Sequence, residues 1–421
     1  MSTFYGNKLD PYHSERTAYS VKGNRQSIVV TNNPSTIGPG QLLSVEFPNL
    51  GSDDLIIPGT ARLAFNISLK STDANCTVVN NLGRAIVKKI SVKMGSKEIT
   101  CLDNADIYLC YRDLWMTKNK RLNAAYYGIH SDDGNTAKIR LGAGDAVATT
   151  QPGAAIAATF RNRFAIPLDF EILTDHGPFC QAGLTDRLSF ELVFNDCGRV
   201  IISTDTDATY QITNIALEFD IITQEDLARL KRQQYTGMTT VLYTNVLYYR
   251  RETCNKSDPR WNIDVNIAAN SLKGVLMLVE DPAAGAMGPA FGRNSEFYYN
   301  PLITKVQISV DGISNQLYAQ GMTPHQHWEE IVKEFVREDL RSSELATDMS
   351  TYLQSRYALW LDFRSSDDHK LHGSGRKVGR IAISLDKTVQ TAGPLICHVY
   401  LLIDAQMNIE NGRLVKVFYH C

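Results

Sequence analysis

Alternation constrains this chain more than any other feature. Segment after segment places an apolar residue at every second position, the mark of a β-strand with one buried face. In 63–70, "LAFNISLK", Leu63, Phe65, Ile67 and Leu69 fall on one side. The same rhythm runs through Ile90, Val92 and Met94; Phe164, Ile166, Leu168 and Phe170; Leu188, Phe190, Leu192 and Phe194; and Ile215, Leu217, Phe219 and Ile221. It returns in the second half at Ile263, Val265 and Ile267; Val306, Ile308 and Val310; Leu359, Leu361 and Phe363; Ile381, Ile383 and Leu385; and Val399, Leu401 and Ile403, with "LVKVFY" at 414–419 as a last strand. Such patterning predicts antiparallel sheets with one wet face, not the continuous apolar strands of a parallel α/β sheet.

Helical signals are few. Residues 103–115 put Ile107, Cys110, Tyr111, Leu114 and Trp115 on one face, with Asp103 as the expected cap. Residues 323–337 put Trp328, Ile331, Val332 and Phe335 at helical spacing; Thr323, Pro324 and Gln326 spell a capped start. Short helices are expected near 117–127 and 342–354, and one more at 223–235 with Thr223 as its cap.

At 421 residues the chain exceeds one ordinary core and suits two domains. The spacing of its elements says how they are related. Ile90 and Ile308 both open an Ile-Ser-Val triplet and stand 218 apart (308 − 90). The expected caps Asp103 and Thr323 stand 220 apart (323 − 103), and the strands opening at Leu188 and Val399 stand 211 apart (399 − 188). A strand, Gly turn, strand and helix recurring at a near-constant offset predict one domain plan used twice. The expected layout is an N-terminal arm over 1–40, a first domain over 41–222, a connector helix over 223–237 and a second domain over 238–421. With helices inserted between groups of antiparallel strands, the expected class is all-β: two consecutive eight-stranded antiparallel jelly rolls with short inserted helices.

Long connections at 128–158 and 281–301, and a shorter polar one at 364–377, are expected loops. The first 40 residues show little periodicity and read as an extended arm. Over 1–26 it is mildly basic, with Lys8, Arg16, Lys22 and Arg25 against Asp10 and Glu15.

The net charge of −2 gives no overall pull toward nucleic acid or acidic lipid. The start, "MSTFYGNKLDPYHSER", lacks the layout of a signal peptide, and no apolar run approaches the roughly 20 residues of a membrane span. Eight scattered cysteines without a CxxC predict free thiols in a reducing compartment. The sequons at Asn66, Asn75 and Asn255 are therefore read as chance.

No constellation argues for catalysis. His325 and His327 of "HQHW" point about 200° apart on a helix and read as polar residues of its first turn. His369 and His372 with Asp367 and Asp368 read as a solvated turn rather than a metal loop. The Gly pairs at 142–144 and 373–375 lack the strand-to-helix context of a phosphate loop. Short basic clusters (Lys88-Lys89; Lys118, Lys120 and Arg121; Lys231-Arg232; Arg250-Arg251) have no interleaved aromatics and read as a scattered solvated face. The expectation is a chain that is not an enzyme, with no catalytic, cofactor or metal residues and no cofactor.

"RAIVKKISVKMGSKEI" (84–99) followed by the helix at 103–115, and "RFAIPLDFEIL" (163–173) followed by "LTDRLSFELVFND" (184–196), resemble the double jelly-roll major capsid proteins of the adenovirus and tailless-phage lineage. The nearest resemblance is to those of Polinton/Maverick elements, adintovirus-like viruses and nucleocytoplasmic large DNA viruses. It implies two upright jelly rolls per subunit and a homotrimer with a pseudo-hexameric outline that tiles an icosahedral shell. Penton and minor capsid proteins are the implied partners, with contact to an inner membrane or the genome through the arm. The implied location is the virion, assembled inside the host cell in cytoplasm or nucleus. The competing class is a two-domain β-sandwich module or spike recognising carbohydrate or a receptor, for which Phe297, Tyr298 and Tyr299 are the candidate platform. A cupin-like enzyme would need clustered His and carboxylate ligands that the nine histidines do not form.

Overall fold

Strands dominate the computed structural model, which describes residues 22–29, 35–73, 76–129, 162–269, 271–283, 294–314, 321–336, 345–364 and 378–419. The first half runs β1 (Lys22–Val29), β2 (Leu42–Glu46), β3 (Asp54–Ile56), β4 (Arg62–Lys70), β5 (Thr77–Val78), helix α1 (Leu82–Ala85), β6 (Val87–Met94), β7 (Lys97–Asp103), α2 (Ala105–Asp113), α3 (Lys118–Leu122), β8 (Arg163–Pro167), α4 (Glu171–Thr174), β9 (Leu188–Phe194), α5 (Cys197–Val200), β10 (Ile201–Ile202) and β11 (Thr209–Thr223). Helix α6 (Glu225–Thr236) leads into β12 (Met238–Asn255), β13 (Arg260–Ala269), β14 (Leu272–Glu280), β15 (Ile303–Val310), β16 (Ile313–Ser314), α7 (Pro324–Phe335), α8 (Met349–Ser355), β17 (Ala358–Asp362), β18 (Val378–Lys387), β19 (Pro394–Glu410) and β20 (Arg413–Tyr419).

The sheet orders carry the duplication. The first half forms β1-β11-β4-β8 and β2-β9-β6-β7; the second forms β12-β19-β14-β17 and β13-β18-β15-β16. Slot for slot these are one antiparallel plan, two four-stranded sheets per roll, with β3 and β20 added at β11 and β19. The fold is a double jelly roll, with α2 and α3 in one roll answering to α7 and α8 in the other.

The correspondence corrects one expected equivalence. Leu188 opens β9, whose counterpart is β18, whereas Val399 lies in β19, the counterpart of β11. The offset is not constant because the first roll spends more sequence between the end of α3 at Leu122 and the start of β8 at Arg163 than the second spends between the end of α8 at Ser355 and the start of β17 at Ala358; residues 130–161 lie outside the described residues. The offset therefore falls from 218 at Ile90 and Ile308 to 195 at the starts of β8 and β17 (358 − 163).

Four boundaries also move. Lys22–Val29, inside the stretch expected as an extended arm, is a strand paired in register with β11 from Thr223 to Ala216. The strand expected to reach Phe170 stops at Pro167, after which Phe170 meets the Tyr243 ring edge-on at 5.5 Å. Asp103 and Thr223 are the last residues of strands rather than caps: Asn104 and Gln224 hold the cap positions. The Thr223 hydroxyl instead donates to Asp54 at 2.6 Å. The expected cap on α7 is present in full, Thr323 accepting from Gln326 N–H while the Gln326 side chain accepts from Thr323 N–H.

β9 buries every second residue as its alternation demands. β11 needs a bulge at Asn214, which adopts φ 51. The extra residue switches the inward parity from Tyr210 and Ile212 to Leu217, Phe219 and Ile221, all buried. Two Ser-Thr-Asp triplets tie the far end of β4 to the approach of β11. Asp205 accepts from Thr72 N–H (2.6 Å), Thr72 Oγ1 (2.9 Å) and Ser71 Oγ (3.0 Å). Asp73 accepts the matching set from Thr204 N–H (2.7 Å), Thr204 Oγ1 (2.9 Å) and Ser203 Oγ (3.1 Å). One continuous apolar core runs through both rolls and across the junction between them.

Candidate functional site

The residues singled out as possible chemistry do not converge. His325 is exposed, while His327 is fully buried with Nδ1 3.0 Å from the Tyr357 hydroxyl. Burial pushes the His327 imidazole down to about 4, so it is neutral at physiological pH. Asp367, Asp368, His369, His372 and both Gly pairs lie outside the described residues. Among the described residues no three His, Cys, Asp or Glu side chains are grouped as metal ligands, and no helix is long and apolar enough to cross a membrane. The seven described cysteines are free thiols. Of the sequons, Asn66 is half-buried on β4, Asn255 is exposed and Asn75 is outside the described residues.

The aromatic run is not an exposed platform. Tyr298 is buried and donates its hydroxyl to Ile107 O at 2.7 Å; the Tyr299 hydroxyl donates to Gln390. Most of the basic clusters are paired at the surface, Lys88 with Asp196 (3.3 Å), Lys89 with Asp103 (3.1 Å) and Arg232 with Asp53 (3.5 Å). Arg121 departs from the solvated-face reading: it is 3% exposed and forks onto Glu296 at 2.8 and 2.9 Å.

That pair belongs to the arrangement that organises the molecule, the junction between the rolls. The α2 helix of the first roll lies in it and is buried on nearly every side, not on one face as expected. Aromatic rings cross the junction. Tyr108 lies 5.5 Å from Tyr400, Tyr111 meets Tyr298 edge-on at 5.0 Å, and Trp115 lies 5.6 Å from Trp328 and 6.0 Å from Phe335. Each such pair adds about 0.5–1.5 kcal/mol beyond its buried area. Backbone carbonyls at the start of α2 are satisfied from the second roll, Tyr400 donating to Asn104 O at 2.8 Å as Tyr298 does to Ile107 O. Elsewhere, Tyr243 donates to Ile99 O at 2.6 Å and Thr347 to Leu114 O at 2.8 Å.

Buried charge is paired throughout this seam. Glu296 of the second roll also accepts from Asn80 at 2.8 Å. Arg199 of α5 bridges Glu280 of β14 (3.0 Å) and Asp106 of α2 (3.8 Å), and Glu280 meets His398 Nε2 at 2.9 Å. Burial, with Glu280 adding to it, raises the Asp106 carboxyl against the pull of Arg199. A cavity lined by Asp106, Cys110, Arg199, Glu280, Ser295 and Tyr298 leaves room for about one water. Behind α2, within the first roll, Arg84 spans Asp113 (3.0 Å) and Asp169 (2.5 Å). Burial opposes the Asp169 charge, but Arg112 and Arg84 outweigh it and hold the carboxyl well below the usual range. Sequence reasoning missed this seam because its pairs join residues far apart in the chain, 175 apart for Arg121 and Glu296. Chemically the arrangement is a joint, in which buried ion pairs, hydrogen bonds and ring contacts tie one roll to the other.

No family model matches the sequence, and no curated protein does. Solved structures do match, over nearly the whole chain. The fold class is that of the double jelly-roll major capsid proteins, the class the sequence resembles. The PBCV-1 virus capsid matches with TM-score 0.60 at 13% identity, covering 97% of this chain and 100% of that one. The mavirus major capsid protein matches with TM-score 0.54 at 13% identity, over 94% and 90%. The Faustovirus major capsid protein matches with TM-score 0.57 at 8% identity, over 96% and 93%.

Proposed function

We propose that this chain is a viral major capsid protein whose work is assembly rather than catalysis. The observation that carries the reading is the duplication: one strand order used twice, the two copies fused through a buried seam, in a fold shared end to end with capsid proteins. Two similar rolls held rigidly side by side suit a trimeric block, because three such pairs present a nearly sixfold outline from one gene product. A threefold interface closes on itself and does not run on into a filament. The rolls are read as the two domains, joined over 223–237. Residues 1–21, ahead of β1, are read as the arm that contacts minor capsid proteins, an inner membrane or the genome, with penton proteins at the shell vertices and the virion as its place. The buried Tyr298 and bonded Tyr299 give the carbohydrate- or receptor-binding alternative no support.

Light scattering with electron microscopy of the purified chain tests this. The expected species has roughly three times the 47.0 kDa chain mass and forms hexagonal blocks or shells. A monomer across micromolar concentrations overturns the reading; normal shells from a chain lacking residues 1–21 overturn the role given to the arm.

A further inference from the structure

Helix α7 packs on β17 of its own roll and reaches the end of α2 through Trp328 and Phe335, and it carries a carboxyl group beside that contact. Glu334 precedes Phe335, whose ring stacks on Trp115 at 6.0 Å and meets Tyr111 edge-on at 5.4 Å. The Glu334 side chain is only 15% exposed. Its closest counter-charge is already claimed. Arg364 gives Nε to both Asp362 oxygens (2.9 and 3.0 Å) and Nη2 to Asp362 Oδ2 (2.5 Å), leaving Nη1 for Glu334 at 3.2 Å. One guanidinium thus serves two carboxylates, and Glu334 holds the weaker share.

The other groups around it do not make up the difference. On its own helix Lys333 pairs with Glu330 at 2.9 Å. Lys273 of β14 is held by Asp404 of β19 (3.5 Å) and the Thr244 hydroxyl of β12 (2.5 Å). From the first roll come Tyr108 of α2, with Arg112 behind it committed to Asp169, and Glu171 of α4, which accepts from Thr244 N–H at 3.1 Å. Helix α8, packed against α7, brings no charged side chain.

We propose that Glu334 is a proton-operated latch on helix α7: as the neutral acid it lets α7 dock on β17 and the end of α2, and as the carboxylate it works against that docking. The inference stands independently of the capsid reading. Burial, with Asp362 beside it and Arg364 and Lys273 only partly compensating, raises the carboxyl to about 7. A glutamate on an undocked helix titrates near its ordinary 4.5. The docked state therefore binds the extra proton, so the latch is fully closed below about pH 4.5 and loosens as pH rises to about 7. Above that both states are ionised and the dependence ends.

Hydrogen exchange of the full chain, corrected for intrinsic rates, reads this directly. Protection of the α7 amides is expected to fall roughly 40-fold from pH 5 to pH 7 and less than about twofold more by pH 8. Glu334→Gln should flatten the profile, and Glu329→Gln, an exposed neighbour on the same helix, should leave it as in the native chain. A flat profile in the native chain, an unchanged slope in Glu334→Gln, or a slope lost equally in Glu329→Gln overturns the proposal.

Discussion

β4 and β14 fill the same slot in the two rolls, yet their textures are opposite. β4 reads RLAFNISLK and ends in strict alternation, with Ser68 and Lys70 exposed. β14 reads LKGVLMLVE and is buried at every position from Gly274 to Glu280. The outer face of the β14 sheet lies against α2 of the first roll, through Tyr400 and Tyr108 among others, whereas the outer face of the β4 sheet stays partly open to water. The same backbone plan thus takes a one-sided strand where it meets solvent and a two-sided strand where it becomes an internal wall. One strand plan serves both rolls, and the junction between them makes their burial unequal.

The sharpest way to break the comparison is to strike the seam where its charge is buried. Arg121→Ala strands Glu296 in the junction with Asn80 alone, and removing one partner of a buried pair costs about 3–5 kcal/mol. The same truncation at the surface pair of Arg260 and Asp386, where Arg260 is 58% exposed, is expected to cost no more than about 1 kcal/mol. Denaturant titrations of the two variants check this; equal losses would mean that the buried pairs of the seam do not hold the rolls together.

A smaller effect contrasts one register position in the two rolls. Arg62 faces the last residue of β8, and Gly274 faces the last residue of β17. Arg62 pairs with Glu218 at 2.9 Å and lies over the Tyr126 ring. At Gly274 a Cβ would come within 2.3 Å of the Trp360 ring and 2.7 Å of Leu361 O. Gly274→Ala should therefore cost about 1–3 kcal/mol through overpacking. Arg62→Ala, which empties a half-open position, should cost less. Thermal unfolding of the pair ranks them, and the reverse order would contradict the inside–outside assignment of the two sheets.

What the sequence made legible follows the same line. Strands with one wet face declare themselves: β4, β9 and β18 were readable because water enforces a polar residue at alternate positions. β14 was not read as a strand, because a segment buried on both faces has no alternation to show. The capped start of α7 was legible from Thr323, Pro324 and Gln326, whose chemistry is local. The true counterpart of β9 was not, since only hydrogen-bonded neighbours reveal that β18 fills its slot. Arg121 sat in a basic stretch indistinguishable from a solvated one, and Glu296 gave no sign that it was waiting 175 residues away. The two Ser-Thr-Asp triplets are visible as text, but their 132-residue separation conceals that they face each other.

The smallest expected effect concerns how the two equivalent helices begin. α7 starts with a reciprocal cap, Thr323 and Gln326 each satisfying the other's backbone N–H. α2 starts without any capping side chain: Asn104 sits at φ 47, turning the chain sharply out of β7, while Tyr400 of the other roll donates to its carbonyl. The first helix start is thus specified by side-chain chemistry and the second by backbone conformation and a neighbour. Thr323→Ala should lose about 1 kcal/mol. Asn104→Gly should be nearly neutral, since glycine adopts positive φ freely and the carbonyl that Tyr400 needs remains. Asn104→Ala, which keeps no capping group and must strain to reach positive φ, separates the two demands: a loss there with none in the glycine variant shows that conformation, not the amide side chain, sets where α2 begins.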